Sequence, residues 1–319
     1  MREPLVSVVI PTWKGEERLL QCLESIHRQT YRNFIAVFVV NGSQDKTLEI
    51  LSKHSGLRLI VNNRNLGFAA AVNQGIRRGE GKYIGVLNDD AFPDPEWLEA
   101  LVEVAESNPQ IGSCASLMVF AHKPNIIQSA GISMDRAAIA WDRLRGHPME
   151  DALEACEVFG ASAGAALYRR AMLDAVGLFD ERFFAYLEDV DLAWRAQVAG
   201  WRCQYVPHAV VRHQTSASLG EDSPLKKQLK ARNKIWMVAK NAPAIDLPLI
   251  FLYDWLAVLY ALLIEGDPHP FIGRFKGLRG ISPFLKDRHP GRPRLLDPLV
   301  PPWQVLRRWQ AKVPKFSSR

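Results

Sequence analysis

The sequence predicts an α/β fold: a mostly parallel sheet with helices on both faces, followed by a helical C-terminal extension. Three observations carry this. Short apolar, β-branched runs alternate with helix-period segments over the first 110 residues. The residues that end each run are polar, as at the carboxyl edge of a parallel sheet, where ligands bind. The composition turns basic near Ser223–Pro224. The expected domains are 1–223, with a nucleotide-facing half over about 1–110 and a second half over about 111–223, and then 224–319.

Each element follows from its pattern. LVSVVIPT (5–12) reads as a buried strand. The segment 16–29 places Leu19, Leu20, Leu23 and Ile26 on one helical face. FIAVFVV (34–40) is a second strand, and 45–54 a helix with Asp45 at its N-cap. LRLIV (57–61), a helix over 67–79 and KYIGVL (82–87) continue the alternation. Asp94 is placed to cap a helix with Pro95 at its first position. After 110 the pattern loosens. IGSCASLMVF and GASAGAALYRR read as strands, 189–199 as a helix stopped by Gly200, and CQYVPHAVVRH as a last strand.

Composition and spacing exclude several classes. The chain has 319 residues, 48% hydrophobic and 23% charged, which is ordinary for a globular protein. The four cysteines are far apart and form no CxxC, so a zinc ribbon or redox dithiol is not expected. A reduced, cytosolic setting fits. The apolar run Leu5–Ile10 is too short for a signal peptide. Neither GxGxxG nor GxxxxGK[ST] occurs, which argues against a dehydrogenase or a P-loop enzyme.

Two acidic motifs stand out. VLNDDAFPD places Asp89 and Asp90 directly after a buried strand. With Asp94 assigned to the cap, the pair is free to take a hard divalent cation bridging to phosphate. FFAYLEDVDLAWRAQVAGW encloses Glu188, Asp189 and Asp191 between large apolar residues. A helix dipole explains acids in a first turn. It does not explain the aromatic wall around them, and an acid in a partly dry cleft is a candidate general base. His213 ends the last strand and would complete a carboxylate metal site as a neutral imidazole.

Four segments in order resemble family-2 inverting glycosyltransferases of the GT-A fold, rhamnosyltransferase-like branch, over about residues 5–240. They are VSVVIPTWKGEERLLQCLESIHRQTYRNF, NGSQDKT, NRNLGFAAAVNQGIRRGEGKYIGVLNDD and GLFDERFFAYLEDVDLAWRAQVAGWRCQYVPHAVVRH. The resemblance implies roles. Pro11, Thr12 and Trp13 match the segment that touches the nucleotide. Asn88 and Asp89 lead to Asp90, at the position that binds Mg²⁺ or Mn²⁺, with His213 joining it. Asn65, Gly67 and Asn73 match a stretch lining the donor site. Glu188 and Asp189 match the Glu-Asp motif, with Asp189 as the base. Two departures bear on the donor. Val40, followed by Asn41, stands where the family has an Asp that meets the nucleotide base, and Lys14 replaces a frequent Asn.

The implied reaction moves rhamnose or another hexose from a nucleotide-diphosphate sugar to a hydroxyl of a cell-surface or lipid-linked glycan. Two other classes fit these residues less well. A nucleotidyltransferase needs a glycine-rich basic loop, for which IPTWKGEERL is a poor match. A non-catalytic sugar-nucleotide module would lose the acids retained here.

LPLIFLYDWLAVLYALLI (247–264) is eighteen residues with one charge, Asp254, between basic flanks. After Glu265 there are twelve Lys or Arg against three Asp or Glu, a net +9, leaving −3 for the preceding part. The run barely reaches bilayer length and lacks one-sided charge bias. It is expected to lie on the inner face of the cell membrane, giving a cytoplasmic, peripheral protein with no nucleic-acid partner; the alternative is a buried helix packed against the domain.

Overall fold

The computed structural model describes residues 5–214 and 223–299. They fall into two compact units, Met1–Ile132 with Asp142–Glu221, and Ser133–Trp141 with Asp222–Arg319.

The first unit opens with β1 (Val6–Thr12), α1 (Leu19–His27), β2 (Phe34–Asn41), α2 (Thr47–Ser52), β3 (Arg58–Asn62), α3 (Phe68–Arg78) and β4 (Tyr83–Leu87). The strands β4, β1, β2 and β3 lie side by side and parallel. β1 is apolar and almost wholly buried because helices cover both faces. Val6, Val8 and Ile10 face one core layer and Val9 the other, the period-2 alternation of a strand. Pro11 is tolerated inside this central strand because its pairing with β4 stops at Val9.

The chain continues through β5 (Ala91–Pro93), α4 (Trp97–Ser107), β6 (Ile111–Phe120) and β7 (Lys123–Ser129) to a small hairpin, β8 (Ile132–Met134) and β9 (Ala140–Asp142). Then come β10 (Cys156–Val158), β11 (Ala165–Arg169), α5 (Arg170–Val176), α6 (Glu188–Val198) and β12 (Arg202–His213). The main sheet runs β10-β12-β6-β11-β4-β1-β2-β3, with β5 added to β12 and β7 to β6. β11 is antiparallel to both β4 and β6, which makes the sheet mixed.

Three expectations need correction. The first helix begins at Leu19, because Gly15–Arg18 turns instead, with the amides of Arg18 and Leu19 both on the Gly15 carbonyl. The segment 160–164 is a loop; only Ala165–Arg169 pairs as a strand. Asp94 does not cap α4 with its side chain. Its carboxylate pairs with Arg212 on β12.

Among the described residues the second unit holds the α-helices α7 (Pro224–Asn241), α8 (Leu247–Leu263), α9 (His269–Arg279) and α10 (Ser282–Lys286). Ser223 caps α7, accepting from the Lys226 amide. α9 lies close against α7 through Gly273 and Gly277, where a Cβ would strike Ala231 and Ile235. Asp254, midway along α8, is buried between Lys234 of α7 and Arg274 of α9. Burial alone would raise its pKa, but the two cations hold it well below the usual carboxylate range.

Candidate active site

The predicted residues gather at the carboxyl ends of β1, β2, β4 and β12 and at the start of α6. At the end of β1, Thr12 Oγ1 donates to Asp89 Oδ2 at 2.6 Å. Arg18 grips the same carboxylate with two nitrogens, at 3.1 and 3.2 Å, and also reaches the Trp13 carbonyl. Gly15 is required beneath this clamp, since a Cβ would lie 2.4 Å from Thr12 Oγ1 and 2.9 Å from Asp89 Oδ2. Burial pushes the Asp89 pKa up, against the pull of Arg18. Asp89 therefore has a structural partner that sequence reasoning did not assign; Arg18 reads there as one more charge on a helix face. Removing Arg18 leaves a buried carboxylate with no cation beside it and only the Thr12 hydroxyl as a named donor. Arg18→Ala should cost about 3–5 kcal/mol of stability. Urea titration checks this, and the added change Asp89→Asn should recover part of the loss.

Asp90 faces the other way. Its Oδ1 lies 2.9 Å from His213 Nε2. The link is made by β5, three residues long, which runs antiparallel to the end of β12 with Ala91 opposite His213. His213 Nδ1 donates to Gln128 Oε1 at 2.9 Å. That bond leaves the Nε2 lone pair facing an oxygen of Asp90, and two electron-rich atoms at this distance call for a proton or a cation between them. Asn88 Nδ2 is 3.4 Å from the same ring nitrogen. Gln128 carries no sequence signal. Among the described residues no group of three or more His, Cys, Asp or Glu converges on a metal position.

The acids of α6 sit behind a strained entry. Phe184, Tyr186 and Leu187 all have φ near +70°, the left-handed region that bulky residues avoid. Such residues cost of order 1–3 kcal/mol each and persist only where packing imposes them. Here Phe184 closes over Gly67, where a Cβ would come within 2.6 Å of its ring and carbonyl. Asp189 accepts from the amides of Val190 and Ala163, at 2.9 and 3.3 Å. Burial pushes its pKa up to about 6, although both amides favour the anion. Glu188 is buried, and its Oε2 has no hydrogen-bond partner among the described residues. Burial first, and the neighbouring Asp189 second, push it up to about 8. Asp191, the third acid of the motif, is spent on an ion pair with Arg195 one turn on.

Glu188 gives a stability prediction with a definite sign. A carboxyl raised in the folded state adds stability below its unfolded pKa and loses it as pH rises toward the folded value. The wild type should lose Tm between about pH 4.5 and 8 on this account. Glu188→Gln should flatten that decline, as a thermal melt at each pH will read.

One loop joins the two acidic groups. Ala163 donates to Asp189, and the next residue, Gly164, accepts from the Asn88 amide at 2.9 Å. Asn88, Asp89, Asp90, Thr12, His213 and Asp189 are thus one connected set.

The remaining predicted residues take supporting positions. Asn41 donates to Asn65 Oδ1 and the Gly67 carbonyl and accepts from Leu66 and Asn62. Asn65 also accepts from the Gly67 amide. These amides fix the turn before α3. Asn73 is buried, with its amide spent on Phe179 and Glu181. These bonds tie α3 to the segment before α6. The Val40 side chain lies in the core. The indole of Trp13 has the Lys14 ammonium 5.0 Å from its ring centre.

Solved structures share this architecture. A GalNAc-T7 structure with UDP, GalNAc and Mn²⁺ superposes with TM-score 0.64 at 17% identity, over 87% of this chain and 54% of the other. A mannosyltransferase of Pyrobaculum calidifontis with GDP-Man and Mn²⁺ gives 0.54 at 16% identity, over 98% and 81%. The fold is therefore GT-A, with a helical extension. Residues 7–177 match the model of glycosyl transferase family 2, and the chain belongs to that family. It is 30% identical over 246 residues to an N-acetylglucosaminyl-diphospho-decaprenol L-rhamnosyltransferase of Mycobacterium tuberculosis, covering 68% of this chain and 78% of that one. It is 28% identical to an uncharacterized protein of Sinorhizobium fredii, of whose length the match spans only 27%. The family places the chain among the glycosyltransferases and away from the nucleotidyltransferases.

Proposed function

We propose that this chain transfers a hexose, rhamnose or another, from a nucleotide-diphosphate sugar to a glycan hydroxyl, with inversion at the anomeric carbon. The observation that carries the reading is the loop that bonds Asp189 with one residue, Ala163, and Asn88 with the next, Gly164. It sets a raised, partly buried carboxylate beside the acidic turn that ends β4.

Asp189 accepts the proton of the acceptor hydroxyl. The freed oxygen forms the new bond to the anomeric carbon, and the bond to the diphosphate oxygen breaks with its electron pair on the leaving group. Glu188, raised further, stays protonated and can donate to an acceptor oxygen from its unpartnered end. Thr12, Arg18 and Gly15 fix Asp89, and with it the turn that carries Asp90. One carboxylate and one imidazole are a suitable partial donor set for Mg²⁺ or Mn²⁺, with Asp90 and His213 as the ligands and phosphate oxygens and water completing the shell. Such an ion would neutralise charge on the departing diphosphate.

The acceptor class follows the relative named for a diphospho-decaprenol substrate: a sugar carried on a lipid diphosphate. A peripheral position on the cytoplasmic face of the membrane suits such an acceptor. The base-contacting Asp of the family is Val40 here, so the donor is sought by screening. Sugar nucleotides are tested by thermal shift, since a ligand specific for the folded state raises Tm. Hits are then tested for transfer to a lipid-diphosphate sugar. A chain that no sugar nucleotide stabilises would rule the reading out.

A further inference from the structure

The feature that glycosyl transfer does not use is the outer face of α8. Its buried residues are Ile250, Tyr253, Asp254, Ala257, Val258 and Ala261, recurring at three and four as one helical face requires. The opposite face of a helix in water is normally polar. Here it is Phe251, Leu252, Trp255, Leu259 and Leu263, with Phe251 65% and Leu263 72% exposed. The next helix repeats the pattern. Gly273 and Gly277 of α9 face α7, and Phe271, Phe275 and Leu278 are exposed. Scattered exposed apolar residues are ordinary, but a continuous apolar face is a contact surface.

We infer that the outer face of α8, with Phe271, Phe275 and Leu278 of α9, is an in-plane anchor that enters the boundary between headgroups and acyl chains of an anionic bilayer. This deepens the peripheral-membrane reading and is independent of the transfer chemistry. Charge selects the occupant. Residues 223–299 hold thirteen Lys and Arg against six Asp and Glu, a net +7. A second copy would bring like charge to like, whereas anionic lipid would meet its complement. Lys276 and Arg279 are exposed on α9 and Lys286 on α10, and the Arg279 guanidinium lies 4.4 Å from the ring centre of Phe275. A cation above a membrane-facing ring is the arrangement of an interfacial helix.

One fact fixes the orientation. Length does not decide it, because with the turn that precedes α8 the helical stretch Ala244–Leu263 is twenty residues, roughly 30 Å, about the thickness of a hydrocarbon core. Asp254 stands at the middle of the helix, locked to Lys234 and Arg274. A crossing helix would carry three charged groups to the bilayer centre. A helix lying flat keeps them on its protein side.

The test uses the full chain with vesicles of phosphatidylcholine alone or with phosphatidylglycerol, at low salt. Leu252→Glu/Leu259→Glu alters only exposed positions, so its Tm should match the wild type while sedimentation with anionic vesicles falls about tenfold or more. Brominated lipids then report depth, with the difference from Trp255→Phe isolating Trp255 among nine tryptophans. Quenching should be strongest with bromine near the headgroup. Strongest quenching at the chain ends together with resistance to alkali would mean a spanning helix and overturn the inference. So would absence of sedimentation, or a solution dimer that the double variant dissociates. The donor-induced thermal shift is read on the same samples. Sedimentation kept with that shift absent supports the anchor and removes only the transferase reading.

Discussion

Asp189→Asn should keep sugar-nucleotide binding and lose about 10²–10⁴-fold in transfer rate. The amide fills the same volume but cannot take a proton from the acceptor. Ala163 and Val190 donate to different oxygens of the carboxylate, so the variant keeps one of these bonds and turns an NH2 toward the other amide; a melt of the variant checks that the local fold survives. The donor-induced thermal shift tests binding, and single-turnover transfer tests the base. A rate within a few-fold of wild type would remove Asp189 from the mechanism. The pH profile gives a second reading. A base works deprotonated, and burial has pushed this one up to about 6. Wild-type transfer should therefore fall about tenfold per pH unit on the acid side of about 6. Folding stability moves the opposite way. The raised carboxyl loses stability as pH rises through its folded value, so Asp189→Asn should raise Tm above about pH 6.

Chelation should have the second large effect. Charge neutralisation by a divalent ion is worth several kcal/mol, on the order of 10²–10³-fold or more in rate. Transfer should fall by that much in excess chelator and return with Mg²⁺ or Mn²⁺. Asp90→Asn should weaken the return, as should His213→Phe. Binding of Mn²⁺ read by electron paramagnetic resonance, in the presence of donor, checks the site without relying on turnover. Full transfer in excess chelator would leave the Asp90–His213 pair a structural contact.

The strained turn before α6 bears on both predictions. Phe184, Tyr186 and Leu187 hold left-handed conformations, and Phe184 is fixed by packing over Gly67 and by its carbonyl, which accepts from the Ala69 amide. α3 and the turn before α6 are therefore coupled by this contact as well as by the bonds of Asn73 to Phe179 and Glu181, and a side chain at residue 67 would disturb the segment that leads into Asp189.

The sequence by itself determined the parallel half of the sheet. Apolar, β-branched runs at strand length with helical segments between them leave little choice once both faces must be buried, and that placed Thr12, Asn41 and Asp90 at one edge. It also marked the acids of α6, because carboxylates among aromatics need a reason. The tertiary structure alone decided how those acids are used. The Asp90–His213 contact joins residues 123 apart through a three-residue strand too short to read. Arg18 and Gln128 became partners of Asp89 and His213 only when distant elements met. Asp94, whose position before a proline signalled a cap, was drawn instead to Arg212. In the last unit, sequence hydropathy marked the apolar run but could not say which side is covered; the pairing of Asp254 with Lys234 and Arg274 did. The division has one physical cause. Periodicity and composition report the burial of a segment against whatever lies nearby, whereas hydrogen bonds and ion pairs need particular atoms within about 3 Å, and which atoms arrive there is settled by long-range packing.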